Sequence, residues 1–162
     1  MLRGRTDPLI IPLSFPDAPD VDDPESALNA SLADLRDWYL APTSPAQLAD
    51  AGISFAITSD GLSSLNEFLP NLRIAVARGL SASDALAALT TTPAALLGLE
   101  NTHGTIEEGK VANLVVSEGD LFTEEATVRD VWVHGKAYEV TRPPEIDPRG
   151  TWHITSDDEW GF

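Results

Sequence analysis

Short apolar runs and helically spaced apolar residues alternate along the first hundred positions. Residues 9–13 (LIIPL) and 53–58 (ISFAIT) are short and mostly apolar, which predicts two buried strands. Two helical patterns follow the first run: one begins after Asp23 and reaches Tyr39, and the other covers 44–52. Three follow the second run: 66–78, a helix that begins at Ser81, and 92–98. Strands that alternate with helices favour parallel pairing under a cover of helices.

Helix-start signals support these boundaries. Asp23 precedes Pro24, so a carboxylate can accept from the free first-turn amides while proline occupies the first helical position. The segments Ser44-Pro-Ala-Gln and Ser81-Ala-Ser-Asp are both typical of a capping box. We therefore expect Ser44 and Ser81 to be N-caps.

The pattern changes after about residue 103. Residues 111–117, 128–133 and 136–140 predict strands, and His134-Gly135 between the last two indicates a tight hairpin. This part of the chain is expected to form a small antiparallel sheet. Residues 141–150 are rich in proline and predict a linker, followed by one terminal strand around 152–154.

Composition narrows the possible functions. Hydrophobic residues make up 43% of the 162 positions, which favours a packed interior, and no apolar run is long enough to cross a membrane. Cysteine is absent, which excludes disulfides, thiolate nucleophiles and cysteine zinc sites. The formal charge is −16 with only 10 Lys and Arg, so nucleic acid is not an expected partner.

Asp60 is the main candidate for chemistry. It follows the 53–58 run in the sequence Ser59-Asp60-Gly61, and ligands of parallel α/β proteins bind at the carboxyl ends of strands. A carboxylate there can bind a divalent metal or move a proton, but Asp also commonly caps a following turn. Ser14 and Ser63, near the two strand ends, are weaker candidates for substrate contact, and no G-x-S-x-G motif surrounds either.

Three other features do not predict a site. The segment 104–110 (GTIEEGK) resembles a phosphate loop, but Val111 replaces the required Ser or Thr, and a strand is expected where a helix is needed. The acidic residues between 17 and 25 lack the glycine and terminal glutamate of a calcium-binding hand. The histidines are widely separated and form no metal-binding pair, so we expect structural or exposed roles for His103, His134 and His153.

Several segments in order resemble the C-terminal third of the metal-dependent amidohydrolase superfamily, and most closely its imidazolonepropionase-like and prolidase-like branch. These segments are GISFAITSDG, NLRIAVARGLSASDALAALTTTPAALLGL, GTIEEGKVANLVVSEGDL and VRDVWVHGKAYEV. The resemblance runs from about residue 9 to 140. It implies an α/β fold: the last two strands of a (β/α)8 TIM-type barrel with their helices, plus part of a small β-sandwich.

The resemblance also implies a site and a chemistry. Residues 9–13 and 53–58 would be the seventh and eighth barrel strands, and Asp60 would be the carboxylate that binds metal and acts as general base. The implied cofactor is a divalent metal, zinc above others, and the implied reaction is hydrolysis of a carbon–nitrogen bond in an amide or peptide. The family's H-x-H pair, its bridging Lys or acid, and its later histidines have no counterpart in this sequence.

The expectation is therefore the C-terminal portion of a longer hydrolase, inactive alone, with Met1 as an internal methionine. Its parts would be 1–102 (barrel), 103–140 (sandwich segment) and 141–162 (linker and terminal strand). The remainder of the barrel would be its partner, self-association is possible, and localisation is left open. The alternative is a non-catalytic binding or assembly module derived from an amidohydrolase, and a nucleotide-binding role through 104–110 is a weaker third possibility.

Overall fold

A computed structural model describes residues 9–142 and 150–151, and all structural statements below concern these residues. They form a mixed α/β structure with two separate sheets, which confirms the predicted α/β class. Within this part of the chain, no helix combines the length and apolar character needed to cross a membrane.

The first sheet contains two parallel strands, β1 (Leu9–Pro12) and β2 (Phe55–Thr58). Leu9 pairs with Phe55 and Pro12 with Thr58, so the strands run in register and end together. The predicted parallel pairing is confirmed. Within the described chain each strand has only the other as neighbour, and Ile10 in the middle of β1 is 66% exposed.

Six α-helices cover or flank this sheet: α1 (Pro24–Asn29), α2 (Leu32–Leu40), α3 (Ser44–Asp50), α4 (Phe68–Ala77), α5 (Ala82–Leu89) and α6 (Thr91–Leu96). The expected single helix from Asp23 to Tyr39 is wrong. It is interrupted at Ala30, which is extended, and Ser31 caps a new helix by accepting from the amide of Asp34. The helical spacing across the break does not mark a core face, because Leu28 and Leu32 are 88% and 80% exposed.

The predicted caps have mixed outcomes. Asp23 accepts from the amides of Glu25 and Ser26 as expected, and Ser81 accepts from the amide of Asp84. The capping box at Ser44 is wrong, because a short 3₁₀ helix (Ala41–Thr43) runs directly into α3 and leaves Ser44 helical.

The core lies where β1 and β2 meet α3, α4 and α5. Its buried members are Leu13, Ala46, Phe55, Leu72, Ala75, Leu80, Ala85 and Ala88. Many are alanines, which let helix backbones approach the strands closely. Leu13 and Leu72 are completely buried, and the larger Phe55 is only 4% exposed, so these side chains contribute much of the apolar burial.

The second sheet is antiparallel in the order β3 (Leu114–Glu118), β4 (Thr127–Val133) and β5 (Lys136–Glu139). The hairpin predicted at His134-Gly135 joins β4 to β5, and both turn residues have positive φ. Strand β3 begins three residues later than expected, because residues 111–113 connect to it without strand pairing. The expected strand at 152–154 lies outside the described residues.

Arg73 on α4 connects the helices to the second sheet. Its Nε donates to the carbonyl of Leu121 at 3.1 Å, and its Nη2 donates to the carbonyl of Ala126 at 3.0 Å. Both carbonyls belong to the connection between β3 and β4. One guanidinium therefore satisfies two loop carbonyls and fixes the loop against α4.

Candidate functional site

The carboxyl ends of β1 and β2 lie side by side. One further backbone hydrogen bond follows the paired residues: the amide of Leu13 donates to the carbonyl of Thr58 at 3.4 Å. Ser14 therefore follows β1 at the same edge where Ser59, Asp60 and Gly61 follow β2. This edge is where the loops of a parallel sheet converge and where chemistry is expected.

Asp60 is exposed at this edge. Its amide donates to the hydroxyl of Thr58 at 3.2 Å, which holds the backbone next to the strand end. Its carboxylate makes no hydrogen bond or ion pair with the described residues, so the alternative role as a cap of the following turn is not observed. The carboxylate is available to bind a cation or to accept a proton.

Gly61 allows the loop to turn beside β1. Its φ is +78°, a conformation that side-chain-bearing residues rarely adopt, and an added Cβ would lie 3.2 Å from Ser14 Oγ. The loop that carries Asp60 therefore lies close to Ser14, two residues after β1. A turn from the amide of Leu62 to the carbonyl of Ser59, 3.3 Å, closes the loop on itself.

A cleft of about 820 Å³ opens beside this edge, between α4 and the segment that follows β1. We call it the strand-end cleft. Its lining residues are Ser14, Phe15, Pro16, Asp17, Ala18, Trp38, Pro42, Gly61, Leu62, Ser63, Glu67, Asn71, Ile74, Ala77 and Arg78. The structure thus brings the candidates Ser14 and Ser63 to one cleft, whereas Asp60 stands next to it without lining it.

Asn71 is a cleft residue that the sequence analysis missed. It lies on α4, and its Nδ2 donates to the carbonyl of Leu13 at 2.7 Å. The available signal was a polar amide in the middle of a predicted apolar helix. That signal is too common to single out one residue without coordinates.

A second cavity, of about 740 Å³, separates helices α4–α6 from the β3–β5 sheet. Its walls are almost entirely apolar, and His103 is their one titratable side chain. Such a lining offers a single acid–base group, His103, and no charged side chain stands beside it among the described lining residues. It is therefore not a candidate active site.

The described residues do not make a metal site by themselves. No group of three or more His, Asp or Glu side chains in residues 9–142 and 150–151 is arranged to hold an ion. Asp60 is exposed and unpaired with these residues, so it is suitable as one oxygen ligand. One carboxylate does not retain a divalent ion, and the other ligands would have to come from elsewhere.

The segment 104–110 forms a closed turn. Lys110 Nζ lies 3.3 Å from the carboxylate of Glu107 and also donates to the hydroxyl of Thr105. The hydrogen bond from Thr105, and then the charge of Lys110, hold the pKa of Glu107 below its usual value. The ammonium is therefore used within the turn, and residues 111–113 continue without a helix, which argues against a phosphate site.

The two histidines in the described part of the chain, His103 and His134, make their hydrogen bonds locally or at the second sheet, with no bond to Asp60. His103 Nδ1 is 2.8 Å from the hydroxyl of Thr102, and the amide of His134 donates to Asn113 Oδ1 at 2.8 Å in the hairpin. These contacts fit the expected structural roles. His153 lies outside the described residues.

Comparison with known proteins identifies the family of the chain. The model of the amidohydrolase family (Amidohydro_1) matches residues 42–154, the part of the chain that includes β2, Asp60 and the second sheet. The chain belongs to the amidohydrolase family. This confirms the predicted membership. No curated protein matches the chain.

Solved structures resemble this amidohydrolase-family chain. An amidohydrolase from Thermotoga maritima MSB8 has a TM-score of 0.57 at 30% identity over 68% of this chain and 29% of its own length. A prolidase complexed with N-methylphosphonate-L-proline has a TM-score of 0.54 at 25% identity, over 74% and 30%. A Xaa-Pro dipeptidase with bound methionine in the active site matches at 23% identity with a TM-score of 0.55, over 74% and 30%, which shows the fold alone.

The chain therefore spans about three tenths of the length of the solved structures that it matches. Family membership supports a hydrolase-type protein. The activity, substrates and partners of a complete enzyme are proposals.

Proposed function

We propose that this amidohydrolase-family chain supplies one catalytic carboxylate, Asp60, to a metal-dependent hydrolase of carbon–nitrogen bonds. The observation that carries the proposal is the position of Asp60. It follows β2 immediately, at the edge where β1 also ends, and its carboxylate is unpaired with the described residues. A proton acceptor in this position can act on a water held over the strand ends.

The proposed chemistry of Asp60 is general base followed by general acid. Its carboxylate takes the proton of the attacking water, and it then returns that proton to the leaving nitrogen. Protonation of the nitrogen is needed because an amine leaves far more readily than an amide anion. The carboxylate is exposed and makes no ion pair with the described residues, so a water molecule or an ion can reach it.

A divalent ion, zinc first, is the cofactor that family membership suggests. When bound in such a site, it lowers the pKa of its water and polarises the substrate carbonyl. Asp60 would contribute one ligand. The remaining ligands would come from polypeptide outside the described residues.

The fold supports a larger assembly. We propose that β1 and β2 are the last two strands of a (β/α)8 barrel and that β3–β5 form part of a β-sandwich. In this proposal, residues 1–102 belong to the barrel, 103–140 to the sandwich, and 141–162 to a linker and a terminal strand. Each barrel strand has one open edge in the described chain, and parallel strands are usually covered on both faces and paired on both sides. We therefore expect the chain alone to be inactive.

The proposed substrates are small amides or peptides. Similarity to a prolidase at 25% identity supports dipeptides with a carboxyl-terminal proline as the first substrates to try. Ser14 and Ser63 are proposed to contact the substrate from the strand-end cleft. The alternative of a non-catalytic module is not favoured, since family and neighbours are hydrolases.

The test compares Asp60, which follows β2, with Asp50, the last residue of α3 before that strand. Asp60→Asn and the control Asp50→Asn, which is exposed before the strand, are placed in a polypeptide that contains the remaining barrel strands and is loaded with zinc. Hydrolysis of Xaa-Pro dipeptides and of cyclic amides is then measured. We expect Asp60→Asn to lower kcat by at least about a hundredfold, the lower range for a lost general base, and Asp50→Asn to leave it unchanged. Equal kcat for both variants would refute the role of Asp60.

A further inference from the structure

Both backbone polar groups of Leu13, just after β1, make hydrogen bonds. Its amide donates to the carbonyl of Thr58, and its carbonyl accepts from Asn71 Nδ2 at 2.7 Å. Leu13 is completely buried, so neither bond is easily replaced by water. Thr58 and Asn71 are thus held against one fixed residue.

The segment between these two anchors carries Asp60. Apart from bonds within the helix backbone, its other hydrogen bonds among the described residues are local: the amide of Asp60 to Thr58 Oγ1, Leu62 to Ser59, Asn66 to Ser64 Oγ, and Glu67 to Ser64. The bond from Asn71 spans 58 positions in sequence, and it holds the far end of the segment next to β1. Core packing of Leu72 also holds α4 in place, and the Asn71 bond adds a direct link from α4 to the end of β1.

Close approach of Ser14 to Gly61 extends this restraint to the loop that carries Asp60. Ser14 follows the clamped Leu13, and the space around Gly61 is limited by Ser14 Oγ and Cβ. A shift of α4 away from Leu13 would therefore loosen Ser14 and the neighbouring loop together.

We propose that Asn71 is a positioning residue that holds the Asp60 loop in place through Leu13. The catalytic consequence rests on the proposed function, but the restraint on the loop does not. Asn71 acts through the backbone of β1 and has no contact with reacting atoms in this proposal.

Amide hydrogen exchange tests the restraint directly. Asn71→Asp keeps the side-chain shape but removes the donor, whereas Asn71→Gln keeps an amide donor. Asn66→Asp makes the same chemical change at an exposed position of the same segment. We expect exchange of the Leu62 amide to become at least about tenfold faster in Asn71→Asp, the factor for one lost part-buried hydrogen bond, and to be unchanged in Asn66→Asp.

The outcomes are distinguishable. Exchange at Leu62 within about twofold of the unsubstituted protein in Asn71→Asp overturns the proposal, since one intact bond is worth about tenfold. If Asn71→Asp does not fold, Asn71→Gln decides: exchange slower than in a donor-less Asn71→Leu protein supports the proposal, and equal exchange overturns it.

Activity separates this inference from the proposed function. In the hydrolytically competent protein, Asn71→Asp should lower kcat by about tenfold while KM stays constant, because the displaced group acts on the chemical step. If Asp60→Asn leaves turnover intact, the proposed function fails, but the exchange experiment still decides the role of Asn71.

Discussion

Replacing Gly104 by alanine would test how the turn at 104–110 is fixed to the helices. An added Cβ would lie 2.9 Å from Ala94 Cβ, 3.2 Å from the carbonyl oxygen of Thr90 and 3.3 Å from Thr91 Cα. Two of these three atoms belong to the backbone at the start of α6, so they cannot rotate away. The methyl group therefore requires the turn to separate from α6.

The expected cost has two parts. Gly104 has a φ of +93°, and positive φ costs a side-chain-bearing residue about 1–2 kcal/mol. Overpacking adds about 1–3 kcal/mol. Gly109 provides the matched control, because its φ is +87° but nothing lies within 4 Å of an added Cβ. Gly109→Ala should thus cost about 1–2 kcal/mol and Gly104→Ala about 2–5 kcal/mol.

Urea unfolding followed by tryptophan fluorescence measures both variants in the longest stable polypeptide that contains the chain. The difference between their free energies of unfolding isolates the contact with α6, because the backbone strain is common to both. A difference below about 0.5 kcal/mol, the usual range for surface substitutions, would show that the turn is not packed on α6 as described.

Two further predictions concern polar contacts. Arg73→Lys keeps the charge but cannot reach both carbonyls of the β3–β4 connection, so the free energy of unfolding should fall by about 1–2 kcal/mol, whereas the exposed Arg36→Lys should change it by less than about 0.5 kcal/mol. A fall that is equal in the two variants would contradict the bridging role. Because the pKa of Glu107 is lowered in the folded state, its contribution is present above the unfolded-state pKa and is lost as pH falls through the folded-state value. Glu107→Gln should therefore weaken the loss of stability below about pH 4.3, Glu108→Gln serves as control, and an unchanged acid limb in Glu107→Gln would contradict the turn.

Much of the fold near the site could be predicted from the sequence, because local signals there agree with tertiary packing. The apolar runs at 9–13 and 53–58 are bounded by helix signals, and their parallel pairing follows from the alternation of strands and helices. The hairpin at His134-Gly135 is equally local. The observed ends of the strands differ from the predicted ends by only a few residues.

The errors occurred where local patterns had no tertiary support. Leu28, Leu32 and Tyr39 have helical spacing, yet they are exposed in the described chain, so no packing joins α1 and α2 into one helix. Ser44 has capping-box partners in sequence, but the preceding 3₁₀ helix already supplies the turn. A local pattern of residue types does not show which other parts of the fold pack against that segment.

The site could be predicted in part. A carboxylate after a buried strand is visible in sequence and indicated Asp60, and the two strand ends indicated Ser14 and Ser63 as weaker candidates; the roles of all three stay predictions. The hydrogen bond of Asn71 could not be predicted, because its partner, the carbonyl of Leu13, is 58 positions away and carries no side-chain signal. Whether Asp60 binds metal stays a prediction.

We propose that the Asp60 carboxylate faces a bound metal ion at the strand ends. The most direct measurement is a crystal structure of a polypeptide that contains this chain and the remaining barrel strands, soaked with zinc and recorded at the zinc absorption edge. We predict an anomalous peak at about 2.0–2.2 Å from an Asp60 carboxylate oxygen, the usual zinc–oxygen distance. A zinc ion held entirely by other residues, with Asp60 turned to solvent and beyond the reach of a bound water, would contradict the account.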